Sequence, residues 1–160
     1  SIQMRKHWSA YRGLGNVMFK LGKYSKAKKA IQKSAKLELA KNGVSYCNLG
    51  WLLFNLKDYK SAIEQFENSI NINQNPEAYR GLGSSFLKCK DFQSAKDALK
   101  KSINLSKNWK SYRDYGWALL YSNESLLAVE AFNKSIALHQ NESALKGLKE
   151  ASADIESIKR

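Results

Sequence analysis

The segment that decides the fold is Pro76-Glu77-Ala78-Tyr79-Arg80-Gly81-Leu82-Gly83, with Phe86 three residues further on. Its Tyr, Leu, Gly and Phe are spaced i, i+3, i+4 and i+7, which is one stripe of an amphipathic helix. The same stripe occurs four times, as Tyr11, Leu14, Gly15, Met18; Tyr46, Leu49, Gly50, Leu53; Tyr79, Leu82, Gly83, Phe86; and Tyr112, Tyr115, Gly116, Leu119. The glycines of this set are 35, 33 and 33 residues apart, which predicts an internally repeated helical fold.

A second helical stripe follows each copy of the first after a short break. Its members are Tyr24, Ala27, Ile31, Ser34; Tyr59, Ala62, Phe66, Ser69; Phe92, Ala95, Leu99, Ser102; and Ser125, Ala128, Phe132, Ser135. Two antiparallel helices pack closely where a small residue removes a side chain from their crossing. We therefore expect four helical hairpins, in which the glycine of the first helix faces the alanine of the second.

The breaks between the stripes carry helix-start signals. Asp58 and Asp91 each precede an aromatic residue and are expected to act as N-caps, and Asn123–Ser125 is expected to supply the cap in the fourth hairpin. Pro76 is the only proline in the chain and suits the first turn of a helix.

This pattern resembles the tetratricopeptide repeat (TPR), whose signature runs W/Y-x-x-L-G-x-x-Y/F and then A, F, A and P over about 34 residues. The resemblance covers residues 8 to 141 and is strongest in the second and third repeats. It implies an all-α fold, a right-handed α-solenoid of four helical hairpins within a single domain, 1–160. The expected repeats are 8–42, 43–75, 76–108 and 109–141, and residues 142–158 form a capping helix with a charged outer side.

The resemblance also implies a protein–protein interaction scaffold that binds an extended or helical segment in a concave groove lined by the first helices. The predicted groove residues are Arg12, Asn16, Lys20, Asn48, Trp51, Asn55, Arg80, Ser84, Lys88, Arg113, Trp117 and Tyr121. Arg recurs at one position in three of the four repeats, and two tryptophans lie one turn further along. These are the residue types most enriched in interface hot spots, and the arginines favour an acidic partner. The alternative is that the two tryptophans pack on a neighbouring repeat.

Some members of the family bind the C-terminal carboxylate of chaperone tails with a clamp of basic and Asn residues. Arg12, Asn16 and Asn48 match three of the five clamp positions, whereas Glu77 and Gly81 stand where basic residues are needed. An acidic residue in the pocket opposes an anionic ligand, so a chaperone clamp is not expected.

The charge of the chain is strongly uneven. The net charge is +13, and residues 1 to 42 carry 11 Lys or Arg against a single acidic residue. A solvated lysine-rich surface is the preferred interpretation, and a basic nucleic-acid-binding repeat protein is the alternative. Self-association through uncapped repeat ends is a further expectation.

Signals of catalysis and of membrane insertion are weak in this sequence. The two histidines lie near opposite ends, and no His, Cys and acidic cluster has metal-ligand spacing, so we expect no enzyme activity, cofactor or metal. Because modules of this family are often joined to catalytic domains, a targeting module excised from a glycosyl- or sulfotransferase remains an alternative. Cys47 and Cys89 are expected to be two partly buried thiols, which predicts a reducing, cytoplasmic setting without membrane contact.

Overall fold

The computed structural model describes residues 10, 11, 13–15, 17, 18, 20–37 and 43–158. The described residues between 10 and 20 are helical. Eight further helices follow, α1 Tyr24–Leu37, α2 Gly43–Asn55, α3 Tyr59–Ile72, α4 Pro76–Lys88, α5 Phe92–Leu105, α6 Trp109–Tyr121, α7 Ser125–Leu138 and α8 Glu142–Ile158. None of the described residues is in a β-strand, so the predicted all-α succession of hairpins with one additional C-terminal helix is confirmed.

The chain divides into two compact units, Ser1–Gly81 and Leu82–Arg160, and the boundary falls inside α4. We call them unit 1 and unit 2. Each unit contains one phenylalanine that organises its core.

In unit 1, the organising residue is Phe66 of α3, which is completely buried. Its ring occupies the space that side chains at Gly50 of α2 and Gly81 of α4 would otherwise fill. A Cβ atom at Gly50 would lie 2.7 Å from Cε1 of Phe66, and a Cβ atom at Gly81 would overlap the same ring. The two glycines therefore let three helices approach one another around a single aromatic ring.

Unit 2 repeats this arrangement with residues that lie 66 positions later. Phe132 of α7 is completely buried, and its ring lies where side chains at Gly116 of α6 and Gly147 of α8 would project. Helix α8 also buries Ala144 and Ala151 completely. The C-terminal helix thus covers the outer side of Phe132, as the capping helix was expected to do.

The other two hairpins use an aliphatic residue in place of phenylalanine. A Cβ atom at Gly83 would lie 2.5 Å from Cγ of Leu99, and one at Gly15 would overlap the side chain of Ile31. The glycines also face the expected alanines, because the carbonyl oxygens of Ala27 and Ala95 lie 3.5 and 3.1 Å from the two Cβ positions. The nearest atoms belong to the large residue one turn after that alanine, since a glycine leaves room for a whole side chain.

The predicted N-caps are confirmed at two of three hairpins. The Asp58 carboxylate accepts a hydrogen bond from the Ser61 backbone N–H at 3.3 Å, and Asp91 accepts one from Ser94 at 3.1 Å. The prediction at Asn123–Ser125 is wrong, because Glu124 occupies the cap position and its side chain makes no cap hydrogen bond.

The first turn of α4 begins at Pro76, as predicted, and Asn75 accepts a hydrogen bond from the Glu77 N–H at 2.9 Å. The serines late in the second helices are all buried. Two of them donate to the carbonyl group at the start of the partner helix, Ser69 to Gly43 at 2.7 Å and Ser135 to Trp109 at 2.8 Å. These hydrogen bonds join the last turns of the second helix to the start of the first helix in two hairpins.

Candidate functional site

The predicted groove residues differ widely in their exposure to solvent. Lys20, Asn48, Asn55, Lys88 and Tyr121 are exposed. Trp51, Arg113 and Trp117 are half-buried, while Arg80 and Ser84 are buried. Arg12 and Asn16 lie outside the described residues.

In unit 1, Trp51 lies at the centre of a packed cluster. Its ring meets Phe66 edge-to-face at a centroid distance of 5.2 Å and Phe54 at 5.4 Å. The guanidinium of Arg80 lies 4.2 Å from the Trp51 ring centroid, a cation–π arrangement. Much of the Trp51 surface is therefore used within the unit.

Arg80 is also paired within unit 1. Its Nε donates to Oε2 of Glu77 at 3.1 Å, and a second contact joins its Nη2 to Oε1 of the same residue. Since Glu77 lies one helical turn before Arg80, this i, i+3 pair was readable in the sequence. The positive charge of Arg80 is thus largely compensated by Glu77 and Trp51.

The nearby Cys47 thiol is buried in the same cluster. Burial, and to a smaller extent the negative charge of Glu77, raises the pKa of Cys47 to about 11. The thiol is therefore protonated and unreactive near neutral pH. Cys89, in contrast, is exposed, so the expectation of two partly buried thiols is wrong for that residue.

In unit 2, helix α6 carries a ladder of large side chains at i, i+4, i+8 and i+12. The four residues are Trp109, Arg113, Trp117 and Tyr121. The Arg113 guanidinium lies 5.3 Å from a ring centroid of Trp109, and the Trp117 and Tyr121 rings stack at 5.7 Å with an interplanar angle of 27°. We call these residues the α6 ladder.

The middle of the α6 ladder is fixed by its surroundings. Trp117 meets the ring of Phe132 edge-to-face at 5.4 Å, and its Nε1 donates to the Ser143 hydroxyl at 3.1 Å. Arg113 donates from Nε to Oδ1 of Asp114 at 2.8 Å. The buried Asp114 carboxylate is held in turn by the Ser84 hydroxyl at 2.8 Å.

The C-terminal end of the α6 ladder is open to solvent. Tyr121 is 52% exposed, although its ring also contacts Phe92 at 5.5 Å. Phe92, Trp109 and Asp114 were not among the predicted site residues. The i+4 spacing of Trp109 from Arg113 was the signal that could have identified the first rung.

The structure gives no sign of a metal or membrane site in the part of the chain it describes. No group of three or more His, Cys, Asp or Glu side chains there is arranged to hold a metal ion. No helix in the same ranges is both long enough and apolar enough to cross a bilayer.

A family model for the tetratricopeptide repeat matches residues 44–76 and again residues 76–108. These two matches coincide with the second and third predicted repeats. Residues 44–108 are therefore two tetratricopeptide repeats. No protein with a curated description matches the sequence of this chain.

Solved structures of TPR proteins share the fold. One chain of the APC/C hetero-tetramer Cut9–Hcn1 is 26% identical over 88% of this chain, with a TM-score of 0.77. This chain spans only 29% of the length of that protein. YrrB, described as a TPR protein with an unusual peptide-binding site, is 22% identical over 89% of this chain and 74% of its own, with a TM-score of 0.75. The first TPR of Spaghetti (RPAP3), bound to the HSP90 peptide SRMEEVD, is 19% identical over 72% of this chain and 94% of its own, with a TM-score of 0.70.

These similarities confirm the expected fold class, a solenoid of TPR hairpins. A fold of this class indicates a protein–protein interaction scaffold.

Proposed function

We propose that this TPR protein is a non-catalytic interaction module that binds an acidic peptide segment carrying an aromatic or large apolar anchor. The observation that carries the proposal is the α6 ladder of unit 2. It combines a guanidinium with two stacked aromatic rings on a single helix face, and the second of these rings is the half-exposed terminal Tyr121. Rigid aromatic side chains with restricted rotamers lose little entropy when a ligand binds.

Residues on and near the α6 ladder suit both the apolar anchor and the acidic residues of the proposed peptide. The exposed ring of Tyr121, backed by Trp117, suits an apolar or aromatic side chain. Lys88 and Lys110 are exposed first-helix cations, and their positive charges favour association with acidic segments. Arg113 uses its Nε and one Nη for Asp114, and a guanidinium has five N–H groups in total.

The exposed amides of unit 1 suit the backbone of a bound segment. Asn48 and Asn55 are both exposed on α2, and each side-chain amide can donate to and accept from a peptide group. Lys20 is an exposed cation of the first repeat.

The chaperone-tail mode is disfavoured by the contacts at two positions in unit 1. Glu77 is engaged with Arg80, and Gly81 is covered by the Phe66 ring. Neither position supplies the basic group that a terminal carboxylate requires. We therefore expect the HSP90 peptide SRMEEVD to bind no more tightly than about 100 µM. Since Cys47 and Cys89 are free thiols, we place the protein in a reducing compartment such as the cytoplasm.

The test is selection from a random peptide library displayed on phage, followed by titration of the selected peptides. The selected peptides should be rich in Asp or Glu and should carry an aromatic or Leu anchor. Tyr121→Ala should weaken their binding by about tenfold, as expected for loss of an aromatic contact in an interface. Tyr24→Ala is the matched control, because Tyr24 is 50% exposed on a different helix.

Two results would contradict the proposal. Selected peptides without acidic residues would remove the acidic specificity, and equal affinity of the Tyr121→Ala and Tyr24→Ala variants would remove the α6 ladder as the site. Salt-sensitive binding of poly-U RNA at physiological ionic strength, unaffected by Tyr121→Ala, would instead favour nucleic acid as the ligand.

A further inference from the structure

A row of lysines lies on the outer face of helix α1 and on the residue before it. Lys23, Lys26, Lys29 and Lys33 follow one another at spacings of three, three and four residues, and all four are exposed. At 3.6 residues per turn they fall within about a third of the helix circumference. We call these four residues the α1 lysine row. The row belongs to unit 1, whereas the α6 ladder belongs to unit 2.

The exposure of this outer face is common to the second helices of the hairpins. Glu64 of α3, Asp97 of α5 and Glu130 of α7 occupy the position of Lys29 in the later repeats, and all three are exposed. Each of those helices follows at least one earlier hairpin in the chain. A preceding hairpin therefore leaves this position open to solvent, and Lys29 is accessible for the same reason.

The sign of the charge on this face is reversed in the first repeat. All three later repeats carry an acidic residue at the position of Lys29. They also carry one at the position of Lys23, namely Asp58, Asp91 and Glu124. In the fourth repeat, Lys134 donates to Glu130 at 2.5 Å, so a cation and an anion four residues apart compensate each other. The equivalent pair in the first repeat is Lys33 and Lys29. Like charges at this spacing destabilise a helix, and a bound anion would relieve their repulsion.

The ion pair that α1 makes within unit 1 comes from a different lysine. Lys28 donates to Asp58 at 2.8 Å, and this pair joins α1 to the start of α3. Among the described residues, no carboxylate is paired with a lysine of the α1 lysine row. Lys33 instead lies over the ring of Tyr11, with its Nζ 4.7 Å from the ring centroid. The row therefore presents its positive charge to solvent and suits an acidic partner.

We propose that the α1 lysine row binds an acidic helix of a partner protein that carries Asp or Glu at i, i+3 and i+7. One acidic side chain per turn matches one lysine per turn, as in the ion pairs that flank paired helices. Carboxylates are the groups that second-helix lysines already bind in this chain, Lys28 with Asp58 and Lys134 with Glu130. The ligand needs no apolar anchor, so it differs from the ligand proposed for the α6 ladder.

The probe is a labelled, acetylated and amidated peptide in which Glu recurs at i, i+3 and i+7 of an alanine-rich helix. A control peptide has the same composition, with its Glu residues spread evenly around the helix. Binding of each peptide to the full chain is measured by fluorescence anisotropy at low ionic strength, where exposed charges are least screened. A labelled poly-U RNA of equal net charge is titrated in parallel.

Two charge reversals of equal size locate the binding. Lys29→Glu gives the first repeat the acidic residue that the later repeats have, and the new carboxylate can pair with Lys33, so the helix should be retained. Lys100→Glu is the matched control, because Lys100 is exposed on α5 and the net charge changes by the same amount. Tyr121→Ala tests the α6 ladder as the site. Circular dichroism of each variant verifies that the helices are intact.

We expect saturable binding of the one-sided peptide that weakens about tenfold with Lys29→Glu and stays close to the parent value with Lys100→Glu and Tyr121→Ala. The control peptide should bind more weakly. The proposal is overturned if no saturable binding occurs, if the two peptides bind equally, or if the two charge reversals have equal effects, because net charge alone would then explain the binding.

Two further results would also overturn it by naming another site or ligand. Loss of binding with Tyr121→Ala would place the peptide on the α6 ladder. Tighter binding of poly-U RNA that Lys29→Glu weakens would assign the α1 lysine row to nucleic acid.

Discussion

At the scale of single residues, the packing depends on glycines. The space that a side chain at each glycine would occupy is filled by a side chain from another helix. Gly50 and Gly81 enclose the Phe66 ring, and Gly116 and Gly147 enclose the Phe132 ring. Glycine weakens a helix by roughly 0.5–1 kcal/mol relative to alanine. Its presence here is explained by the close approach of a ring that could not move without losing its other contacts.

Two glycines make a matched pair for testing this explanation. Gly81→Ala should lower the free energy of unfolding by about 1–3 kcal/mol, because the new methyl group overlaps the buried Phe66 ring. Gly13→Ala should raise it by about 0.5–1 kcal/mol, since the same methyl group meets no described atom within 4 Å and improves helix propensity. Urea denaturation of both variants checks the prediction, and equal effects of the two substitutions would refute the packing argument.

The contacts of the two described arginines could be predicted less well from the repeat pattern than the helix packing could. The recurrence of Arg80 and Arg113 suggested a row of positive charges facing a ligand. Each also donates to a nearby carboxylate, Arg80 to Glu77 and Arg113 to Asp114. Local acidic neighbours in the sequence were the evidence for this pairing, and spacing between repeats alone could not reveal it.

At the scale of helices, the turn before each second helix follows one rule. Gly22, Lys57, Lys90 and Asn123 all have φ between 60° and 69°, and the residue after the last three is the N-cap. The cap was predicted within the segment Asn123–Ser125, where one candidate was Asn123. It instead occupies the left-handed turn position, which Asn also tolerates, so the cap falls to Glu124.

The cap at α5 allows a clean test of this rule. Asp91→Ala should lower the free energy of unfolding by about 1 kcal/mol, because the Ser94 N–H loses its acceptor. Asp91→Asn is the control and should stay close to the parent, since the amide oxygen of Asn caps as well as a carboxylate. A loss of the same size in both variants, measured by thermal unfolding, would mean that charge rather than capping stabilises this turn.

At the scale of the whole molecule, stability is expected to be uneven along the chain. The first repeat exposes Leu14, Val17 and Leu21, and it places Ile31 where the second and fourth repeats have phenylalanine. In repeat proteins, each hairpin is stabilised mainly by its neighbours. A repeat with an open apolar face should therefore open more readily than the others.

Hydrogen–deuterium exchange tests this expectation. Backbone amides of residues 20–37 should exchange faster than those of residues 43–105, by at least about tenfold in the most protected positions. Uniform protection across all repeats would show that the exposed Leu14, Val17 and Leu21 do not weaken the first hairpin.

The fold was largely predictable because one helical stripe recurs about every 33 residues in the sequence. The exposure and pairing of the site residues were not predictable, because they depend on contacts with other side chains. Four copies of one helical stripe identified the hairpins, and the caps Asp58 and Asp91 located two helix starts. The exposure of Tyr121 and the pairing of Arg80 depend on which neighbouring side chains cover each position. The repeat spacing of the sequence carries no information about those neighbouring side chains.

The alternation of phenylalanine with a smaller aliphatic residue has a consequence for lengthening such a chain. The elements Gly50, Phe66 and Gly81 return as Gly116, Phe132 and Gly147, so the pattern of large and small core residues repeats every two hairpins. An engineered insertion of one hairpin would interrupt that order, whereas an insertion of 66 residues would preserve it. The natural building block for extending this array is therefore a pair of hairpins.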